Sequence, residues 1–234
     1  MPPSSAVPGG ARLFQRLYTR LGCLGRPPQF IVEYYPYAGL AHSIRLRDEI
    51  ALVRLSDALR NAPAKVLEAA AAILLSRMYR RRAPRESLVE YRRFTLAPRT
   101  RRRVATIRRA RGRRVSSSPR GAVHHLERMF VRLNRCYFAG RLRRPCLSWS
   151  DRSWRTQFGC FDPALDQIVL NRRLDRDAVP AYVVEFVLFH EMLHVKHPMR
   201  ATRCTMRSHS REFRLEEKRY AHYAEARKFL ARLS

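Results

Sequence analysis

Apolar and aromatic residues follow two rhythms along this chain, and the change from one to the other marks its elements. In QFIVEYY (29–35), SIRLR (43–47) and ALVRLS (51–56) they recur in short runs broken by Pro36, Gly39 and Asp48, which predicts two or three β-strands. Asn61-Ala62-Pro63 supplies a helix start. The Ala/Leu-rich run from there to about Arg82 predicts a helix packed on those strands. Further on, AVHHLERMFVRLNRCYF sets Leu126, Phe130, Leu133 and Tyr137 on one helical face. CLSWS (146–150), TQFGCFD (156–162) and QIVLN (167–171) are short strand candidates, with a hairpin turn at Asp162-Pro163-Ala164-Leu165-Asp166. Pro180 then opens PAYVVEFVLFHEMLHVKH, which is apolar on nearly every face and closed by Pro198, the pattern of a buried central helix.

Composition divides the chain further. Residues 1–25, rich in Pro, Ser, Gly and Arg with an apolar patch at Leu13, Phe14 and Leu17, read as a flexible arm or one weak helix. Residues 26–98 read as an α+β extension. No acidic residue occurs between Glu90 and Glu127, and 99–114 (RTRRRVATIRRARGRR) is mostly arginine, so 99–121 reads as an Arg-rich linker ahead of a second domain over 122–234. The whole chain of 234 residues carries 48 Lys+Arg against 19 Asp+Glu, a formal charge of +29. Such a balance suits a polyanionic partner, and Arg101, Arg102, Arg103, Arg108, Arg109, Arg111, Arg113 and Arg114 would neutralise backbone phosphates of a nucleic acid without reading its sequence. A solvated, generally Arg-rich surface is the alternative.

Other classes fall away. The five cysteines (Cys23, Cys136, Cys146, Cys160, Cys204) are scattered without a C-x-x-C pair, which fits reduced thiols and neither a disulfide framework nor a zinc ribbon. No apolar stretch near the N-terminus has signal-peptide character, and the run 66–75 is too short to span a bilayer. A cytoplasmic protein, with nucleoid association in view, is the expectation, with no membrane partner.

The chemistry is concentrated in HEMLH (190–194). Residues four apart on a helix lie on one side, so His190 and His194 can direct ring nitrogens at one metal ion. Glu191 sits about 100° further round, where it can reach a metal-bound water and act as general base. Two histidines and a glutamate in an apolar helix are costly to bury unless a metal satisfies them. A catalytic zinc needs a third protein ligand and an open position. The metzincin pattern would need glycine at 197 and histidine at 200; these are His197 and Arg200, so that class is excluded. His197 reads as a capping or surface residue. His209 in HSREF is the better third ligand, with Glu212 and Glu216 as fallback ligands or supporting partners. Trp149 and Trp154 suggest one buried aromatic and one groove rim. Tyr220, His222 and Tyr223 are candidates for oxyanion stabilisation or for helix packing, and His124-His125 reads as surface.

From about Ala122 onward the chain resembles the SprT-like family of zinc metallopeptidases. The resemblance is carried by LNRCYFAGRL (133–142), LSWS (147–150), GCFDPALDQIVLNRRLD (159–175), VPAYVVEFVLFHEMLHVKHP (179–198) and HSREFRLEEKRY (209–220), roughly half the chain. It implies a small α+β, zincin-like domain with a central HExxH helix beside a short sheet. It also implies one zinc ion on His190, His194 and His209, with Glu191 as the base, and a protein or peptide as substrate. Some members degrade proteins crosslinked to DNA; this chain lacks their C-terminal zinc ribbon. A nucleic-acid-binding protein with a structural zinc and no proteolysis is the rival expectation, and a basic interaction module without metal is a third.

Overall fold

The computed structural model describes residues 5–115, 118–197, 200–201, 206–207 and 209–233. It is a mixed α+β protein, with eight α-helices and three small sheets among the described residues. The chain forms two compact units, and along the chain the boundary falls between Gly112 and Arg113.

The first unit contains β1 (Ser5–Ala6), α1 (Gly10–Arg20), β2 (Gln29–Tyr35), β3 (Ser43–Arg47), β4 (Ile50–Ser56), α2 (Ala64–Met78), α3 (Arg85–Leu96) and α4 (Pro98–Arg111). Its sheet has the order β1-β2-β4-β3, with β2 and β4 parallel and the outer pairings antiparallel. Alternation along β2 and β4 puts Phe30, Val32, Tyr34, Ala51, Val53 and Leu55 on one buried face, where they meet Phe14 and Leu17 of α1 and Leu75 of α2. At roughly 1.5–3 kcal/mol for each fully buried large apolar side chain, this cluster decides where ordered structure begins.

Of the two forms expected for residues 1–25, a flexible arm or one weak helix, the chain takes the helix, α1, because Phe14, Leu17 and Tyr18 recur at helical spacing and bury completely or nearly so. One expectation is corrected here: the run expected as a linker holds α4, since Pro98 occupies the first helical turn, arginine is a good helix former, and Val104 and Ile107 supply half-buried positions. Only residues 112 onward continue the connection.

The second unit contains α5 (Leu126–Phe138), β5 (Cys146–Trp149), β6 (Gly159–Asp162), β7 (Gln167–Leu170), α6 (Ala181–Lys196), α7 (Arg211–Glu217) and α8 (Tyr223–Leu233); the short pair β8 (Arg200–Ala201) and β9 (Met206–Arg207) falls where the division of the chain between units changes again, at Ala201. β7 is central, parallel to β5 and antiparallel to β6, and the hairpin turn closes as expected with Asp162 Oδ1 accepting from the amides of Ala164 and Leu165. α6 packs against α5, α7, α8, β6 and β7. Ten of its residues are buried, including Glu185 and Glu191. Glu185 is satisfied by an ion pair with Arg132 and by the Tyr220 hydroxyl at 3.4 Å. Pro198, expected to end this helix, and Cys204 lie outside the described residues.

His124 is a further correction. It is 8% exposed, with Nε2 3.1 Å from the Val179 carbonyl, because Asp175 gathers the amides of Ala122, Val123 and His124 and turns the chain inward ahead of α5.

In the first unit, burial holds His42 down to about pKa 4. Its Nδ1 accepts the Ser56 amide at 3.0 Å, leaving Nε2–H to face the Tyr91 hydroxyl at 2.5 Å. The unfolded chain takes up this proton near pH 6.5 and the folded chain only near 4. Its contribution is therefore fully present above pH 6.5 and is lost as pH falls toward 4, by roughly 3 kcal/mol at most. The protection factors of the β2 and β4 amides, taken relative to the intrinsic exchange rate at each pH, should fall as pH drops through that window and fall less in His42→Gln; an equal response in both proteins contradicts the assignment.

Candidate metal centre

α6 and the start of α7 together assemble the site. His190 and His194 project from one side of α6, and His209 stands immediately before α7, whose first turn is capped by Ser210 Oγ accepting the Phe213 amide at 3.2 Å. That cap fixes the entry of the helix and with it His209. Phe213, fully buried, forms a floor under all three rings, with centroid separations of 5.1 Å to His190 and 4.7 Å to both His194 and His209. The Nε2 atom of His209 lies 3.2 Å from Nε2 of His190 and 3.2 Å from Nε2 of His194. Three nitrogens bound tetrahedrally at zinc-like distances would stand about 3.3 Å apart. The three histidines thus form a cluster able to hold a metal ion.

The electronic state of the rings agrees with that geometry. Burial, reinforced by the neighbouring His190 and His209, lowers His194 to about 4, and burial with His190 lowers His209 as well. Neutral imidazoles, which have a lone pair to offer, are the ligating form. His190 Nδ1 lies 2.6 Å from Glu217 Oε1, so its proton is held on that side and Nε2 is left as the donor atom. Burial alone would raise Glu217, but the bond from His190 and the charges of His190, His209 and Arg227 outweigh it and hold the carboxyl below its usual range.

Glu217 is the site residue that the sequence reading missed. Its signal was available: it lies four residues after Phe213, on the face of α7 that the buried ring defines. The two carboxylates considered instead behave differently. Glu216 takes Lys196 at 2.6 Å and His197 at 3.1 Å, binding the C-terminal end of α6 to α7, and Glu212 is exposed in the first turn of α7. His197, expected as a capping or surface residue, is the C-cap of α6, its amide donating to the Leu193 carbonyl at 2.7 Å and its half-buried ring meeting Glu216.

Glu191 lies one residue from the metal cluster and is 5% exposed. Burial pushes it up to about 7, against the opposing effects of His190 and a hydrogen bond from the Phe161 amide. Strand β6 presses on it so closely that a Cβ at Gly159 would stand 2.7 Å from Glu191 Oε1 and 2.9 Å from its Cγ. Beside the cluster opens a cleft of ≈730 Å³, lined among others by Phe158, Phe186, Arg214, Lys218, Tyr223 and Arg227. One wall rests on Asn171, fully buried, which bonds the carbonyls of Trp154 and Gln157 and so fixes the loop carrying Phe158.

The remaining candidates separate clearly. Trp149 is buried and Trp154 half-buried. Tyr220 is buried with its hydroxyl donating to the Tyr182 carbonyl at 2.9 Å, whereas Tyr223 lines the cleft and receives a hydrogen bond from Arg227 at 3.0 Å. His222 is exposed and stacks near Tyr182. Arg101, Arg102, Arg103, Arg108, Arg109 and Arg111 lie on α4, where consecutive arginines 100° apart spread around the helix instead of forming one face. Arg111 is committed to the fold, bonding both oxygens of Asp57 at 2.9 and 2.7 Å. Arg113 and Arg114 follow the helix and are exposed.

The chain matches no family model, no curated protein and no solved structure. No helix among the described residues is long and apolar enough to cross a membrane.

Removing the carboxylate that orients His190 should weaken metal binding. Glu217→Ala is expected to lower zinc affinity about 10–100-fold, with Glu217→Gln recovering part of the loss through its amide oxygen. Competition against a chromogenic chelator measures this, and unchanged affinity in the alanine variant contradicts the role.

Proposed function

We propose that this protein is a zinc-dependent endopeptidase of the SprT-like, zincin-like type. The reading is carried by the convergence of three histidine Nε2 atoms beside the buried Glu191 in an open cleft. His190, His194 and His209 would hold the ion. A zinc bound there would polarise a scissile carbonyl and lower the pKa of a coordinated water to about 7.

Glu191 performs the proton transfers. A base near neutrality is matched to taking a proton from the attacking water and passing it to the departing amine. Gly159 and the Phe161 amide keep the carboxylate in one position while that happens. Tyr223, oriented by Arg227, is the cleft hydroxyl available to the developing oxyanion. Phe158 and Phe186 offer apolar surface to substrate side chains.

The openness of the cleft favours this reading over a structural zinc. Structural sites are closed by four protein ligands, and the cluster here contains three among the described residues. The formal charge of +29 supports substrates that are nucleic-acid-associated proteins.

A casein-type assay on zinc-replete protein tests the activity. Glu191→Gln is expected to retain one zinc per chain while cleavage falls by about 10²–10⁴-fold, and retained turnover refutes the mechanism. His209→Ala should lose stoichiometric zinc. Gly159→Ala should keep zinc and reduce kcat, because the added methyl displaces Glu191; unchanged kcat would contradict that contact.

A further inference from the structure

The first unit carries a surface that the metal site does not use. Helices α1 and α2 cover one face of its sheet, and among the described residues those of the opposite face are exposed or half-buried. Residues that alternate with the buried set form it: Ile31, Glu33 and Tyr35 on β2, Ile50, Leu52 and Arg54 on β4, and Ser43, Arg45 and Arg47 on β3. Ile31 and Ile50 are 44% and 43% exposed, large values for isoleucine on a sheet.

Cations and planar groups are ordered on this face. Ser43 pairs with Arg54, Arg45 with Leu52 and Arg47 with Ile50, so Arg54, Arg45 and Arg47 follow one another at diagonal and next-but-one positions. Such positions are about 7 Å apart, the scale on which successive phosphates recur along an extended single strand. The Arg54 guanidinium lies over the Tyr35 ring, 4.8 Å from its centroid, and Tyr35 packs against Tyr37 at 4.7 Å. Tyr37 is a shared wall between two concavities. One, of ≈360 Å³, is bounded by Tyr35, Ser43, Arg45 and Arg54; the other, of ≈510 Å³, lies between the 38–41 loop and Val104 and Arg108 of α4.

We infer that this face binds single-stranded nucleic acid, its phosphates tracking Arg54, Arg45 and Arg47 and its bases lodging against the Tyr35–Tyr37 pair and the aliphatic patch. Acidic protein would satisfy the arginines but has no use for a row of planar groups between two hollows, each roomy enough to admit a base, whereas every nucleobase has a flat face to offer. Duplex is less suited, because its bases are already stacked on one another and leave the tyrosine pair without a partner. Glu33, paired with Arg54 at 2.6 Å, is the single acidic residue among the face positions and holds the guanidinium flat against Tyr35.

Fluorescence anisotropy of the full chain with labelled oligothymidylate tests the inference, and it does not depend on peptidase activity. Affinity should fall with salt with a log–log slope of about −1.4 from Arg45 and Arg47, the charge of Arg54 being already met by Glu33. Arg45→Glu/Arg47→Glu should weaken binding at least tenfold and flatten that slope, and Tyr37→Leu should weaken it severalfold at unchanged slope. Arg12→Glu/Arg16→Glu, on the exposed side of α1 across the sheet, makes the same charge change and should have a small effect. Circular dichroism of each variant separates lost binding from lost folding. Equal weakening by the α1 pair would assign binding to general basic charge. Displacement by polyglutamate as effective as by unlabelled oligonucleotide would assign the face to acidic protein. Either result, or absence of binding, overturns the proposal.

Discussion

The second unit is organised around the cost of burying polar groups inside α6. Sixteen residues long and apolar on nearly all sides, this helix is enclosed by three helices and two strands, yet carries Glu185, His190, Glu191 and His194. An isolated charge or unpaired imidazole in such surroundings would cost several kcal/mol. Three of these four groups have instead a partner supplied by a different element. Arg132 of α5 and Tyr220 serve Glu185, Glu217 of α7 serves His190, and the Phe161 amide of β6 serves Glu191. The lone pairs of the three Nε2 atoms are the groups that a bound cation would satisfy.

This arrangement links packing to chemistry. The same burial that makes α6 the core of its unit raises Glu191 to about 7 and lowers His194 to about 4. A carboxylate near neutrality is a better base, and a neutral imidazole is a better ligand, so desolvation tunes both groups in the direction the proposed hydrolysis needs. Phe213 has a comparable double role. It closes the core beneath the imidazoles, and the Ser210 cap that starts its helix sets His209 at the rim.

The first unit follows different logic. Its core lies on one face of a four-stranded sheet, and period-two alternation sends the remaining strand residues outward. That leaves a face where isoleucines and arginines are exposed beside half-buried tyrosines. Its arginine-rich helix α4 is integrated into the fold through Arg111 and Asp57, so the charge of that segment is distributed around a helix and not along a free strand.

Strong local patterns were legible in the sequence. The alternation in QFIVEYY and the short apolar run in QIVLN gave strands, the all-round apolar run gave the buried α6, and the i, i+4 spacing in HEMLH put two imidazoles on one side, because 3.6 residues per turn leaves no other choice. Weak or conflicting patterns misled: Phe14 and Leu17 sit among proline and glycine, and the arginines of 98–111 conceal the half-buried Val104 and Ile107. His209 was favoured among the downstream candidates and then supported by the family resemblance, but its distance was not readable, since a loop between two ligands has no periodicity that could measure one. The face of α7 that carries Glu217 was readable from Phe213, but its contact with His190, like that of Gly159 with Glu191, was not, because each acts on α6 from another element. Their importance depends on a 2.6 Å approach to His190 and on a contact too close for a Cβ beside Glu191. Residue types and helical spacing therefore determined which groups could do chemistry. Tertiary packing alone decided which were brought within bonding distance, because contacts between elements depend on how buried faces fit together and not on separation along the chain.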